Sequence, residues 1–132
     1  MQNARYLVDT DVIINYLKGK SKSKDFLFRI IDGKAAGFFS VITEAELMSG
    51  ARDDKDEADI YDVLDVMEAV EIKRDIAVTA GRLRRKYAAY SAKLPDALIA
   101  ATAYEKDLIL ITANEKHFSV FEEVEKVYVT EN

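Results

Sequence analysis

Apolar and polar positions alternate in blocks along this chain. Residues 5–9 form a near-continuous apolar run closed by Asp9, the pattern of a strand buried on both faces. Val12, Ile13 and Ile14 then lead a helix read over 11–18 and broken at Gly19. Residues 24–31 read as a second short helix, stopped by Asp32-Gly33, and 36–40 as a second strand. A helix is read over 43–51. Over 56–69, Ile60, Val63, Leu64 and Met67 recur at helical spacing, and 70–72 reads as a short third strand. Ile76, Ala80, Leu83, Tyr87 and Tyr90 align on one face of a helix over 75–90. Pro95 suits the first turn of a helix over 95–106. Residues 108–111 form a strongly apolar strand, and 126–129 a last one. Strands alternating with helices predict an α/β fold, a three-layer α/β/α sandwich with a mostly parallel central sheet, Rossmann-like in layout.

Composition narrows the chemistry. The 132 residues fit one domain, 1–132, with 49% hydrophobic and 33% charged residues, as in a globular chain. No apolar run approaches the roughly 20 residues of a membrane span. No signal-peptide pattern opens the chain, so a cytoplasmic location is expected. The absence of Cys excludes thiolate zinc sites and cysteine nucleophiles, and the single histidine, His117, excludes a multi-histidine metal site. Any metal must therefore be held by oxygen, which favours hard cations. The net charge of −5 argues against a general phosphate binder. Within it lie two basic clusters, Lys18, Lys20, Lys22 and Lys24, and Arg82, Arg84, Arg85 and Lys86.

Three acids stand at junctions where an acid is unusual. Asp9 closes the first strand, Glu46 lies about one turn into the helix leaving the second, and Asp96 lies in the first turn of the helix at Pro95. Asn114 follows the strand 108–111. In an open parallel sheet, ligands bind outside the carboxyl ends of the strands. All four residues are thus expected on one edge, and three converging carboxylates point to magnesium or manganese.

The stretches around these residues resemble the PIN-domain family, and within it the small VapC-type toxin ribonucleases of toxin–antitoxin pairs. They are Leu7-Val8-Asp9-Thr10-Asp11-Val12-Ile13, the run from Ser40 to Gly50 containing Glu44-Ala45-Glu46-Leu47, Leu94-Pro95-Asp96-Ala97-Leu98-Ile99-Ala100, and Ile111-Thr112-Ala113-Asn114-Glu115-Lys116-His117-Phe118. They occur in the family's order. The resemblance implies a PIN-like fold and an endoribonuclease dependent on Mg2+ or Mn2+, with Asp9, Glu46 and Asp96 as metal-binding acids. Asn114 would complete the catalytic set where the family carries Asp or Asn. Thr10 and Thr112 resemble supporting hydroxyl residues, Asp11 has a supporting role at most, and His117 and Phe118 look structural. The resemblance also implies a small antitoxin partner laid into an apolar groove, and a homodimer. Lys20, Lys22, Arg82 and Arg85 are the candidate RNA contacts.

Other functions stay open on the sequence. A PIN-like module could hold RNA or protein without cleaving. Asp9-Thr10-Asp11 also resembles the haloacid-dehalogenase phosphatase pattern, though Ile13 departs from it and no downstream lysine-and-acid motif follows. A phosphoryl receiver would need a phosphorylatable Asp followed by Thr and Lys, which Lys73-Arg74-Asp75 does not match.

Overall fold

The computed structural model describes residues 3–131. Five strands run in the chain order β1 (Arg5–Val8), β2 (Ala36–Ser40), β3 (Glu68–Val70), β4 (Ile109–Thr112) and β5 (Lys126–Tyr128). They form one sheet of spatial order β3-β2-β1-β4-β5. Every pairing is parallel, so the expected mostly parallel sheet is wholly parallel. The helices are α1 (Thr10–Leu17), α2 (Ser21–Ile31), α3 (Val41–Gly50), α4 (Asp54–Leu64), α5 (Arg74–Lys86), α6 (Leu94–Lys106) and α7 (Glu115–Phe118), with a 3-10 turn at Ala88–Tyr90. Among the described residues, no helix is long and apolar enough to cross a membrane.

Successive strand residues point to opposite faces, and the two central strands show how this divides the core. Leu7 and Leu110 join Ile76, Ala80 and Leu83 of α5 and the alanine-rich face of α6. Their neighbours Val8 and Ile111 join Val12, Ile13, Leu27, Ile60 and Val63 from α1, α2 and α4. All four strand residues are fully buried, which is why these strands read as unbroken apolar runs. Gly37 lets β2 approach that second layer closely: a Cβ there would lie 2.8 Å from Met67 Cγ and 2.9 Å from Ile30 Cδ1.

Several element boundaries differ from the sequence expectation. The helix read over 56–69 starts two residues earlier, at Asp54, and ends at Leu64. Residues 68–70 instead pair with β2, Phe38 opposite Glu68 and Ser40 opposite Val70, so the third strand lies two residues before its expected place. Asp62 and Asp65 near the negative end of the helix dipole favour this early stop. The helix read over 75–90 ends at Lys86. Tyr87 is buried and its hydroxyl donates to Glu123 Oε1 at 2.8 Å. Tyr90, expected on the same buried face, is 74% exposed because the chain turns away through the 3-10 segment and Ser91, whose φ is 63°. That turn delivers the chain to the start of α6. The helix α2 starts at Ser21 rather than Lys24, its first N–H groups bonded to the Glu131 carboxylate (Lys22 N at 3.1 Å, Ser23 N at 2.8 Å). The four-residue helix α7 is not among the elements read from the sequence, although Asn114 stands at its N-cap.

Candidate active site

Strand order reverses in chain sequence at β1, which has β2 on one side and β4 on the other. A crevice opens at such a switch point, outside the carboxyl ends of the strands. Asp9 stands there: it follows β1, and its N–H donates to Ile111 O of β4 at 2.9 Å. Asp9 occupies the N-cap position of α1, yet its side chain makes no capping hydrogen bond. Its Oδ2 instead accepts from Thr112 Oγ1 at 2.8 Å. Thr112 Oγ1 accepts in turn from Asn114 N at 3.0 Å, so one hydroxyl ties the end of β4 to the end of β1.

Glu46 reaches the same edge from α3. Its neighbour Glu44 faces elsewhere, toward the Tyr61 hydroxyl at 3.4 Å. Glu46 Oε1 accepts from Thr10 Oγ1 at 2.7 Å, and Thr10 shares a second hydrogen bond with the fully buried Thr43 Oγ1 at 3.0 Å. Asp96 comes from the first turn of α6, and its Oδ2 lies 3.4 Å from His117 Nδ1 of α7. Asn114 caps α7, its Oδ1 accepting from His117 N at 3.2 Å.

These side chains line one cleft of about 420 Å³, in which Asp9, Thr10, Glu46, Asp96 and Asn114 meet Asp11, Lys93 and His117. Like charges and burial both act on the acids there. Asp9 is 6% exposed, and burial raises its pKa to about 7. The Thr112 hydroxyl and the Thr10 backbone oppose that rise, while Asp11 and Glu46 add to it. Burial also raises the pKa of Asp96, against the pull of His117 and Lys93, with Glu46 and Asp11 adding to the rise. The acids are thus gathered at an electrostatic cost that a cation would relieve.

The donor set fits a hard divalent cation in kind, being carboxylate oxygen with hydroxyl and amide support. Among the described residues, no three acidic or histidine side chains already form a metal-holding group. Glu46 is drawn toward Thr10 and Asp96 toward His117. Ion binding would therefore require side-chain rotation on elements whose backbones are already in place.

Comparison with known proteins identifies the family. The PIN domain family profile matches residues 6–126. Ribonuclease VapC10 of Mycobacterium tuberculosis is 37% identical over 123 residues, 89% of either chain. The chain is a PIN domain of the VapC ribonuclease family. Ribonuclease VapC1 of Methanocaldococcus jannaschii is 29% identical over 124 residues, covering 92% of this chain and 85% of that one. A toxin–antitoxin complex from Klebsiella pneumoniae contains a chain 31% identical to this one, with a TM-score of 0.79 over 96% of this chain and 99% of that one. VapBC2 from Rickettsia felis, bound to a promoter DNA fragment, shares the fold at 18% identity and a TM-score of 0.80, covering 93% and 97% of the two chains.

Within this VapC-family chain, Asp9, Thr10, Glu46, Asp96 and Asn114 line the cleft together, and Thr112 lies behind Asp9. The candidate RNA contacts Lys20, Lys22, Arg82 and Arg85 do not line it. Lys22 instead lines a separate pocket with Asp25, Arg29 and Tyr128. Sequence reasoning passes over Lys93 and Thr43, and gives His117 no part in the site. His117 has one available signal, its place three residues after Asn114, which a helical turn brings back toward the cleft. Phe118 is buried, in keeping with a structural part.

Proposed function

We propose that this chain is a metal-dependent endoribonuclease, the toxin of a toxin–antitoxin pair, with residues 1–132 acting as a single nuclease domain. The observation that carries this reading is the meeting of Asp9, Glu46 and Asp96, from three separated segments, in one cleft at the switch point of the sheet. Magnesium or manganese held by those three acids would supply charge neutralisation at the scissile phosphate and acidify a water for attack.

The chain's own residues prepare that chemistry. Thr112 fixes the orientation of Asp9 through its hydroxyl, and Thr10 does the same for Glu46. Thr43 holds Thr10 in place from the buried side. Asn114 uses its Oδ1 to cap α7, so its amide N–H2 is the group left to donate to a phosphate oxygen. His117 stands beside Asp96, its Nδ1 3.4 Å from the carboxylate. Ile99 and Phe118 close the cleft floor with apolar surface, which strengthens each polar contact above it.

A second cavity supports an antitoxin partner. It measures about 520 Å³ and runs between α1, α3 and α4, with Ile14, Leu17, Leu47, Ala51 and Ile60 among its apolar lining. Glu46 and Ile14 line both this groove and the acidic cleft. An amphipathic segment laid in the groove could therefore carry a basic side chain to Glu46. The related Klebsiella pneumoniae structure is itself a toxin–antitoxin complex. The resemblance also implies a homodimer, which sedimentation would test.

The test is cleavage of a mixed structured and single-stranded RNA pool by the native chain and by Asp96→Asn, with Mg2+, with Mn2+ and with chelator. Metal-dependent cuts leaving 5′-phosphates and 3′-hydroxyls, lost in the variant, are expected. Products ending in 2′,3′-cyclic phosphate would overturn the water-attack scheme, and no cleavage of any RNA would favour a module that binds without cutting.

A further inference from the structure

The acidic cleft has two basic side chains in its lining. Among the described residues, Lys93 and His117 are its only basic lining side chains, and both stand beside Asp96. His117 faces the Asp96 carboxylate, whereas Lys93 is exposed and forms no ion pair among the described residues. Lys93 lies near the end of a short ledge, residues 87–94, that leads from α5 into the start of α6.

The ledge is held firmly for an exposed segment. Tyr87 is buried beneath it and bonded to Glu123, and Tyr87 O accepts from Tyr90 N at 3.0 Å and Ala92 N at 3.4 Å. Ser91 N donates to Ala88 O at 3.1 Å. Out of this fixed backbone project Tyr90, 74% exposed, and Leu94, 51% exposed. Tyr90 makes no aromatic pair and no side-chain hydrogen bond among the described residues. Lys93 follows it by three positions, so the two lie within about 11 Å along the chain. The last turn of α5, with Arg84 and Arg85, feeds directly into the same ledge.

We propose that residues 87–94 hold a single-stranded segment of the substrate RNA, with Lys93 on a backbone phosphate and Tyr90 stacked on an unpaired base. This rests on the ribonuclease reading above and adds how the strand is held. A cleft of acids repels a polyanion, so the strand needs a cation at its rim. Among the described residues, Lys93 is the basic residue of the cleft without an ion pair. An exposed aromatic ring with a fixed backbone gives a base a π-face at little ordering cost, and unstacked bases are how proteins engage single-stranded RNA.

The experiment measures binding of a fluorescein-labelled, randomised single-stranded RNA by anisotropy across a salt series with Mg2+. Asp9→Asn serves as the non-cleaving parent, and Lys93→Gln, Lys93→Arg, Tyr90→Ala and Tyr90→Phe are added to it. KM for RNA cleavage is measured for the same changes in the native chain, with sedimentation alongside. Tyr90→Ala is expected to weaken binding about tenfold without changing the salt slope, and Tyr90→Phe to retain it. Lys93→Gln is expected to lower the slope of log affinity against log salt by about 0.7, and Lys93→Arg to restore it. Unchanged affinity and KM in Tyr90→Ala and Lys93→Gln, with native cleavage intact, would overturn the ledge and leave the ribonuclease reading standing. A change in sedimentation with Tyr90→Ala would overturn it in favour of a contact between copies of the chain. If the native chain neither binds nor cuts RNA, the ribonuclease reading fails and the ledge with it.

Discussion

Replacing Asp9 by Asn should make the metal-free protein gain stability on the native chain as pH rises from acid to alkaline. The carboxyl is buried, and its pKa rises from an ordinary 3.8 to about 7. A raised folded-state pKa means that the folded protein binds the proton more tightly than the unfolded chain. The associated stability is fully present below about pH 4 and is lost as pH rises through 7. At 1.36 kcal/mol per pH unit, the native chain loses about 4 kcal/mol over that interval. Asn carries no titratable proton and escapes the loss.

An offset must be separated from this change. Asn offers one acceptor oxygen where the carboxylate offers two, for the Thr112 hydroxyl and the Thr10 backbone. Losing one of those hydrogen bonds costs about 1 kcal/mol at every pH. The diagnostic quantity is therefore how the difference between variant and native changes with pH. Urea unfolding in chelator at pH 4 and pH 8.5 should show Asp9→Asn gaining about 4 kcal/mol on the native chain between the two. After the offset, the variant's melting temperature at pH 8.5 should stand roughly 10 °C above native. A difference that stays flat, or one that shrinks as pH rises, would refute a protonated, buried Asp9.

Other consequences follow from the same geometry. Divalent-cation affinity, measured calorimetrically, should rise steeply with pH up to about 7 and then level, because binding must expel the Asp9 proton; a flat profile would place the ion away from Asp9. Thr112→Val strips Asp9 of its hydroxyl donor and leaves Asn114 N without its acceptor, so it should cost about 1–3 kcal/mol in urea unfolding and lower RNA cleavage. Asp96→Asn should abolish cleavage while circular dichroism and melting stay native-like or better. Gly37→Ala drives a Cβ to within 3 Å of Ile30 and Met67, and a loss of about 1–3 kcal/mol is expected; a neutral outcome would mean that β2 has more room than this packing allows.

The parts of the fold that are legible in the sequence are those set by local pattern and burial together. Residues 7–8 and 110–111 read as strands because both faces of each are covered, so no polar alternation interrupts them. Pro95 marks the start of α6 because its ring is pre-set for a first helical turn. The misplaced boundaries are those where a distant partner decides. Met67 keeps helical spacing with Ile60 and Leu64 and carries the sequence reading of the helix to 69, and pairing of residues 68–70 with β2 overrides it. Tyr90 continues the apolar stripe of α5 by spacing, but Tyr87 anchors the chain to Glu123 and turns it outward. No local pattern in residues 87–90 encodes a hydrogen bond to a residue more than thirty positions later.

The same distinction separates the acids of the cleft from its cations. A carboxylate closing an apolar strand is locally costly, since burial opposes its charge. Asp9 therefore stands out in the sequence alone, and its raised pKa expresses that cost. A lysine in a polar connector carries no such signal. Lys93 gains meaning only when α5 and α6 pack together and bring their connector over the switch point of the sheet. The clusters at Lys20 to Lys24 and Arg82 to Lys86 stand out by density in the sequence, yet density says nothing about direction. A single lysine lining an acidic cleft does more for a phosphate there than several lysines outside it, because the interaction falls with distance and is screened by salt within about 10 Å.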